Sequence, residues 1–222
     1  MKKILIISGI LIITGIIGLI VFKLSGNTIN LEKLSMDTNS KEFLSKFDQK
    51  NYAFLTDTLY DNEADAYSEH PIKFGLSHDM VISNADPIAK FHGIAYNKIN
   101  TMETNNGEFV ALGAESSISS KKDFDNAVSD LTEEFGKPQI TETQFLGRYQ
   151  NYLWVTADRT IELVSSITGG EGELNIVVDT NEKKVEGKPT ETYVSYLFIV
   201  KKKHVGYLKG MVSKSGDWVY MD

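Results

Sequence analysis

The chain has 222 residues, of which 41% are hydrophobic, and its 30 acidic and 23 basic residues give a net charge of −7. This acidic balance argues against a nucleic-acid partner, because binding to phosphate needs a basic surface. The chain contains no cysteine, which excludes disulfide bonds, thiolate zinc sites, a cysteine nucleophile and a lipid anchor attached through cysteine.

An uncharged apolar segment, residues 4–22, lies near the N-terminus between Lys2–Lys3 and Lys23. A helix of this length crosses the roughly 30 Å core of a bilayer. The segment is longer than the apolar region of a cleaved signal peptide, and no Ala-x-Ala site follows it. The sequence therefore favours an uncleaved anchor over residues 1–23, with a cleaved signal peptide as the alternative.

The distribution of lysines around this segment predicts its orientation. Lys2 and Lys3 precede it and Lys23 alone follows closely, so the N-terminus is expected in the cytoplasm and the remainder outside it. The protein is then a single-pass protein of the cell (inner or cytoplasmic) membrane with an extracytoplasmic C-terminal domain. Without the three lysines, 20 basic residues stand against 30 acidic ones, so the exported part is strongly acidic.

Residues 24–39 are polar and irregular and are predicted to form a tether, which leaves residues 40–222 as the exported domain. Ser40 is placed to cap a first helix. The apolar residues that follow recur near the helical period of 3.6 residues, namely Phe43, Leu44, Phe47, Phe54 and Leu55.

An acidic segment after this helix is the best candidate for a metal site. Its carboxylates occupy positions 1, 3, 5 and 9 of a calcium loop, as Asp61, Glu63, Asp65 and Glu69. Position 6 is Ala66 where the turn requires glycine, and position 12 is Ile72 where a bidentate glutamate belongs. The match is weak, and a solvated acidic loop that binds no cofactor is the favoured interpretation.

The best-defined helix is predicted over Lys121–Phe135. Ser120 and Asp123 resemble a capping box, and Gly136 and Pro138 end the helix. One apolar stripe runs along it and is typical of a helix that covers a sheet: Phe124, Ala127, Val128, Leu131 and Phe135.

Strand patterns surround this helix and predict an antiparallel sheet. A hairpin turn is expected at Asn105–Gly107. The expected strands are 72–76, 91–102, 108–115, 139–146, 149–156, 160–167, 174–179 and 192–201, followed by a pair around Ser215–Gly216. We therefore predict an α+β fold, in which a mainly antiparallel sheet carries one or two helices on a face.

The motifs of several enzyme classes are absent: no nucleophile elbow, phosphate-binding loop or dinucleotide-binding glycine motif occurs. His78–Asp79 is the most enzyme-like pair, but adjacent strand residues face opposite ways, so they are not expected to polarise each other. The four histidines do not have the spacing of a metal site, and loop positions are predicted for them: His70, His78, His92 and His204.

Two further patterns each allow more than one interpretation. The basic cluster Lys201–His204 is interpreted as an edge strand protected by lysines, with docking of an acidic partner or a return to the membrane surface as the alternatives. Tyr149, Tyr152 and Trp154 form either a stacking platform or, at alternate strand positions, part of the core.

These features favour a non-catalytic accessory domain of an envelope complex, held in the bilayer through residues 4–22 and contacting another envelope protein. One alternative is an exported domain that binds a ligand or Ca²⁺. Another is an enzyme whose scattered carboxylates leave no local signature in the sequence.

Overall fold

The structure is a computed structural model that describes residues 28–47, 52–61, 69–70, 72–81, 86–144, 148–168, 192–210, 218, 220 and 221. The predicted anchor, the strand expected at 174–179 and the pair expected around Ser215–Gly216 lie outside these residues. Within the described ranges, no helix is both long enough and apolar enough to cross a membrane.

Eleven strands and three α-helices make up the described chain. The strands are β1 (Ile29–Asn30), β2 (Phe54–Tyr60), β3 (Lys73–Met80), β4 (Ala89–Phe91), β5 (Ile94–Tyr96), β6 (Lys98–Thr104), β7 (Phe109–Ser116), β8 (Gln139–Gln144), β9 (Arg148–Val155), β10 (Arg159–Thr168) and β11 (Thr192–Lys201). The helices are α1 (Ser40–Leu44), α2 (Lys121–Phe135) and α3 (Val205–Gly210).

Eight of the strands form one antiparallel sheet in the order β2-β3-β6-β7-β11-β10-β9-β8. Two four-stranded meanders meet at its centre, where β7 pairs with β11. A second sheet has the order β1-β4-β5, with β1 and β4 parallel. The predicted α+β fold with a mainly antiparallel sheet is confirmed.

Both faces of the large sheet are covered. On the first face, Leu112, Leu163 and Leu197 pack with Phe124 and Leu131 of α2. The second face carries a separate cluster that includes Val164, Phe198, Leu208 of α3 and the C-terminal residues Trp218 and Met221. Alternate residues of β10 and β11 supply the two clusters, as the period of two in a strand requires.

Helix α2 has the predicted bounds. The Ser120 side chain accepts a hydrogen bond from the Asp123 backbone, and the reciprocal bond completes the capping box. Gly136 ends the helix with a φ of 84°, which suits glycine because it lacks a Cβ. Phe135 is an exception to the apolar stripe, since 41% of its surface is exposed.

The segment after Ser40 departs from the predicted helix. Helix α1 ends at Leu44 and its N-cap is Asn39, whose side chain accepts from the Glu42 backbone. Phe54 lies in β2 instead. The helical periodicity of the apolar residues was misleading here, because Phe54 packs against Phe47 from a different element, at 6.0 Å between ring centroids. The pairing of Phe54 in the sheet overrides the local helical pattern.

Residues 28–39, which the sequence assigns to the tether, are packed against the domain. Leu31, Leu34 and Met36 are 1%, 6% and 3% exposed. The Arg159 guanidinium and the Lys201 ammonium donate to the carbonyl oxygens of Leu34 and Met36 at 2.8 and 3.1 Å. Residues 28–39 are therefore part of the packed domain.

Candidate functional site

The weak calcium candidate falls between β2 and β3 in the chain. Of its residues, Asp61 and Glu69 belong to the described part of the chain, whereas Glu63 and Asp65 lie outside it. The Asp61 backbone N–H donates to the Ile72 carbonyl at 2.9 Å, so positions 1 and 12 of the supposed loop are the paired ends of the hairpin. Across the described residues, no three His, Asp or Glu side chains are grouped to hold a metal ion.

His78 lies in strand β3 and not in a loop, and its partners come from the neighbouring strands. Its Nδ1 lies 3.0 Å from the Thr56 hydroxyl, and its Nε2 lies 3.3 Å from the Glu103 carboxylate. Asp79 instead accepts a bond from Ser77 at 3.4 Å. A hydroxyl–imidazole–carboxylate row of Thr56, His78 and Glu103 thus crosses three strands.

The basic cluster does not protect a sheet edge, so that interpretation is wrong. Strand β11, which ends at Lys201, is paired on both sides, with β7 and β10. Lys201 and Lys203 both bind the Glu108 carboxylate, at 2.9 and 2.6 Å. Hydrogen bonds from Lys203 and Lys201 lower the pKa of Glu108 to about 2. Lys201 also pairs with Asp37 at 3.3 Å, so two carboxylates within the domain balance the two lysine charges.

The aromatic residues of β9 do not form one platform. Tyr152 and Trp154 are stacked on the first face of the sheet, and Trp154 is 2% exposed. The Trp154 indole N–H donates to the Gly136 carbonyl at 3.0 Å. Tyr149 stacks instead on Tyr220, at 5.1 Å between ring centroids. The core interpretation is therefore confirmed for Trp154.

A cleft of about 710 Å³ lies among the described residues. Three separate parts of the fold meet there: the β4–β5 turn, the C-terminal end of α2 and the β9–β10 turn. We call it the His92 cleft. Its apolar floor and rim are formed by Leu31, Phe91, Phe135, Val155, Ile161 and Ile199.

His92 lines this cleft and has a backbone conformation that is uncommon for a residue other than glycine. Its φ is 43°, and among the described residues it is the single non-glycine residue with a positive φ. Such a backbone costs an L-residue about 1–2 kcal/mol. The Glu32 carboxylate accepts from the His92 backbone N–H at 3.0 Å, and this bond holds the turn against the N-terminal segment.

Three carboxylates surround the His92 ring and its backbone. Asp130 and Glu134, one helical turn apart on α2, lie 3.8 Å from Nδ1 and from Nε2. Glu32 also lines the cleft and binds the His92 backbone N–H. Asp130 and Glu134 are exposed, at 59% and 55% of the side-chain surface, and Glu134 lines the cleft, where it can reach a ligand that enters from solvent.

Arg159 also lines the cleft, and its positive charge is already paired within the domain. Its guanidinium binds Asp158 at 2.7 Å and donates to the Leu34 carbonyl at 2.8 Å. The hydrogen bond from Arg159 lowers the pKa of Asp158. The cleft therefore presents a net negative charge above an apolar floor, and this combination suits a side chain with an apolar stem and a cationic end.

The sequence contained two patterns that bear on this cleft. His92 precedes Gly93, whose φ is 82°, and consecutive positive-φ residues are typical of a tight hairpin turn. Asp130 and Glu134 have the spacing of neighbours on one helix face. The contact between these two elements could not be deduced from either pattern, because it depends on how the small sheet packs beside α2.

Comparisons of the chain with models of protein families, with curated proteins and with solved structures find no match. The functional argument therefore rests on the geometry and charge of the His92 cleft.

Proposed function

We propose that the chain is a membrane-anchored, extracytoplasmic accessory domain that binds another envelope protein and has no catalytic role. The apolar segment 4–22 supports the anchor and its flanking lysines support the orientation. The His92 cleft supports the binding role. We further propose that a lysine- or arginine-bearing segment of the partner occupies the cleft.

The observation that carries this proposal is the group of Glu32, Asp130 and Glu134 around His92 beside an apolar floor. The methylene stem of a lysine or arginine would lie on exposed Phe135 and Val155, and its charge would meet Glu134. Charge-assisted hydrogen bonds of this kind contribute about 1.5–3 kcal/mol each.

The test is purification of the full-length chain from native membranes in mild detergent, followed by mass spectrometry of proteins present in equal amount. Glu134→Gln removes a charge of the cleft, and Glu133→Gln is the matched control, because Glu133 is its exposed neighbour on α2 outside the cleft lining. We expect the partner to be retained by Glu133→Gln and reduced about tenfold or more by Glu134→Gln.

Three other outcomes would each contradict one part of the proposal. A partner retained equally by both variants would place the interface elsewhere on the domain. A chain that purifies alone from every membrane preparation would contradict the accessory role. Release of the protein from membranes by alkaline washing would contradict the anchor.

A second candidate, an enzyme, is favoured by the row Thr56–His78–Glu103. An imidazole 3.0 Å from a hydroxyl and 3.3 Å from a carboxylate has the arrangement of an activated nucleophile. Labelling of the full-length chain by a fluorophosphonate, lost in Thr56→Val and in His78→Gln, would support this function. The accessory role predicts no labelling of Thr56.

A further inference from the structure

A second cavity lies on the first face of the large sheet, beside the first turns of α2. Residues of α2 and of strands β8, β9, β10 and β11 line it, and it shares no lining residue with the His92 cleft. Its volume is about 290 Å³, close to the lower end of the range of about 300–1,000 Å³ that is typical of small-ligand pockets. We call it the Tyr152 cavity.

Three aromatic side chains form the apolar wall of the Tyr152 cavity, namely Phe124, Tyr152 and Tyr193. The Phe124 ring meets both tyrosine rings in edge-to-face contact, at 5.7 Å from the Tyr152 centroid and 6.1 Å from the Tyr193 centroid. Phe124 is buried, whereas both tyrosines are only partly buried. The tyrosine rings are therefore held in place by packing and still have surface on which the apolar C–H groups of a ligand can pack.

Hydrogen-bonding groups lie beside these rings. The Gln150 amide donates to the Glu142 carboxylate at 3.3 Å, and a carboxylate has about four lone-pair sites, so it can accept further bonds. Burial, followed by the charge of Asp125, raises the pKa of Tyr193, so its hydroxyl stays protonated at neutral pH. Ser165 supplies a second hydroxyl. The cavity thus combines hydrogen-bond donors and acceptors with an apolar wall.

The sheet beside the cavity contains a buried hydroxyl that the fold does not use. Ser195 of β11 lies directly opposite Ser165 in the register of the two strands and is fully buried. It is two residues from Tyr193 and so faces the same side of the sheet. Among the described residues its hydroxyl has no hydrogen-bond partner, whereas buried polar groups normally have one. The sheet therefore has spare hydrogen-bonding capacity at this point.

The charges of the lining residues select against ionic ligands. The Lys121 ammonium donates to both oxygens of Asp125 at 2.7 Å, so these two charges balance. Glu142 is then the one unbalanced charge among the lining residues described, and it repels an anion. A cation would lie near the Lys121 ammonium. The best match is a neutral ligand that has many hydroxyl groups and one apolar face.

A sugar ring has this combination of groups, because its hydroxyls lie around the edge of the ring and its C–H bonds form an apolar face. We propose that the Tyr152 cavity binds one unit of a neutral carbohydrate. The C–H face of the sugar packs on Tyr152, and its hydroxyls form hydrogen bonds with Glu142 and Gln150. This site is distinct from the His92 cleft and does not depend on the function proposed for that cleft.

Saturation-transfer difference NMR on the full-length chain in mild detergent tests this proposal. The neutral probes are glucose, galactose and N-acetylglucosamine, each as the free sugar and as a linear oligomer. Glucuronic acid, a sugar with a negative charge, is the control probe. We expect transfer to the C–H protons of at least one neutral sugar and none to glucuronic acid. Tighter binding of an oligomer would identify a polysaccharide segment as the ligand, and equal binding would identify the free sugar.

Substitutions locate the binding in the cavity. Tyr152→Leu removes the aromatic ring and is expected to weaken binding of the sugar about tenfold, whereas Tyr152→Phe keeps the ring and is expected to weaken it much less. Glu142→Gln is expected to weaken binding several-fold. Glu133→Gln is the matched control, because Glu133 is an exposed glutamate outside the cavity, and it should leave the affinity unchanged.

Three results would overturn the proposal. The first is the absence of transfer to every neutral probe. The second is binding of glucuronic acid as tight as that of the neutral sugars. The third is an unchanged affinity in Glu142→Gln and in Tyr152→Leu. Circular dichroism in the near ultraviolet checks that each variant is folded, and Glu142→Gln, a change at an exposed position, decides the outcome if Tyr152→Leu is not.

Discussion

At the scale of single residues, His92 has a strained backbone that lowers stability, and it lies at the proposed binding site. A glycine at this position would remove the strain of the positive φ, as Gly93 does at the next position. Backbone strain that a simple substitution would relieve is often found at functional sites. The strain at His92 therefore agrees with a binding role for the acidic cleft beside it.

The strain at His92 can be measured by comparing two substitutions. His92→Ala and His92→Gly both remove the ring, which packs against Phe91 at 4.7 Å between centroids, but only glycine relieves the backbone. We expect His92→Gly to have a free energy of unfolding about 1 kcal/mol above that of His92→Ala in urea denaturation. Equal stabilities would show that the turn is not strained.

Glu108 is expected to make stability depend on pH. Its pKa falls from 4.5 to about 2 in the folded protein, so its contribution is complete above about pH 4.5 and is lost as the pH falls toward 2. Solvent screening limits this contribution to about 1 kcal/mol.

Urea unfolding of Glu108→Gln checks this expectation. The variant should be less stable than the natural chain at pH 7 and equally stable near pH 2. Glu133→Gln serves as the control, because no ion pair is found for Glu133 among the described residues, and it should show no such convergence. A constant difference between pH 7 and pH 2 for Glu108→Gln would contradict the assignment to Lys201 and Lys203.

At the scale of elements, α2 owes its bounds to its own sequence. The capping box of Ser120 and Asp123 satisfies N–H groups at its start. Gly136 ends the helix with a φ of 84°, a backbone conformation that glycine adopts readily. The helix then presents Phe124, Ala127 and Leu131 to the sheet, and all three are buried.

Two serine substitutions in α2 separate capping from helix propensity. Ser120→Ala removes the cap and should lower the free energy of unfolding by about 1 kcal/mol. Ser129→Ala changes an exposed position inside the same helix and should raise stability slightly, since alanine is the better helix former. Thermal unfolding of both variants measures the difference, and equal shifts in Tm would rule out the capping role.

At the scale of the whole molecule, the N-terminal segment completes the first hydrophobic core. Leu31, Leu34 and Met36 are buried against the sheet, and residues of β10 and β11 bind the segment's carbonyl groups. Burial of each apolar side chain contributes about 1.5–3 kcal/mol. Together these residues supply a large part of a typical domain stability of about 5–15 kcal/mol.

Two truncated chains test this contribution. A chain that starts at Thr28 keeps the segment and should unfold cooperatively. A chain that starts at Ser40, the boundary expected from sequence, loses all three buried side chains and should be unfolded or lack fixed tertiary packing. Circular dichroism in the near ultraviolet distinguishes these states. Equal cooperative unfolding of the two chains would show that the segment is dispensable.

Local patterns were sufficient for several elements. The bounds of α2 were predicted, and so was β11, because capping residues, glycine stops and alternating apolar residues act between near neighbours in the chain. The antiparallel class of the sheet followed from hairpin turns such as Asn105–Gly107. Helix α3 was not predicted, since only Leu208 among its residues is buried and its apolar pattern is weak.

The sequence by itself determined the acidic character, the absence of cysteine chemistry and the α+β class, and it predicts an anchor at 4–22. Only the tertiary structure decided that residues 28–39 belong to the core, that β8 is an edge, and that Glu32, His92 and Glu134 meet. The physical reason is that the first group depends on composition and on neighbours along the chain, whereas the second depends on burial that joins distant segments. Such long-range contacts leave no periodic pattern in a single sequence.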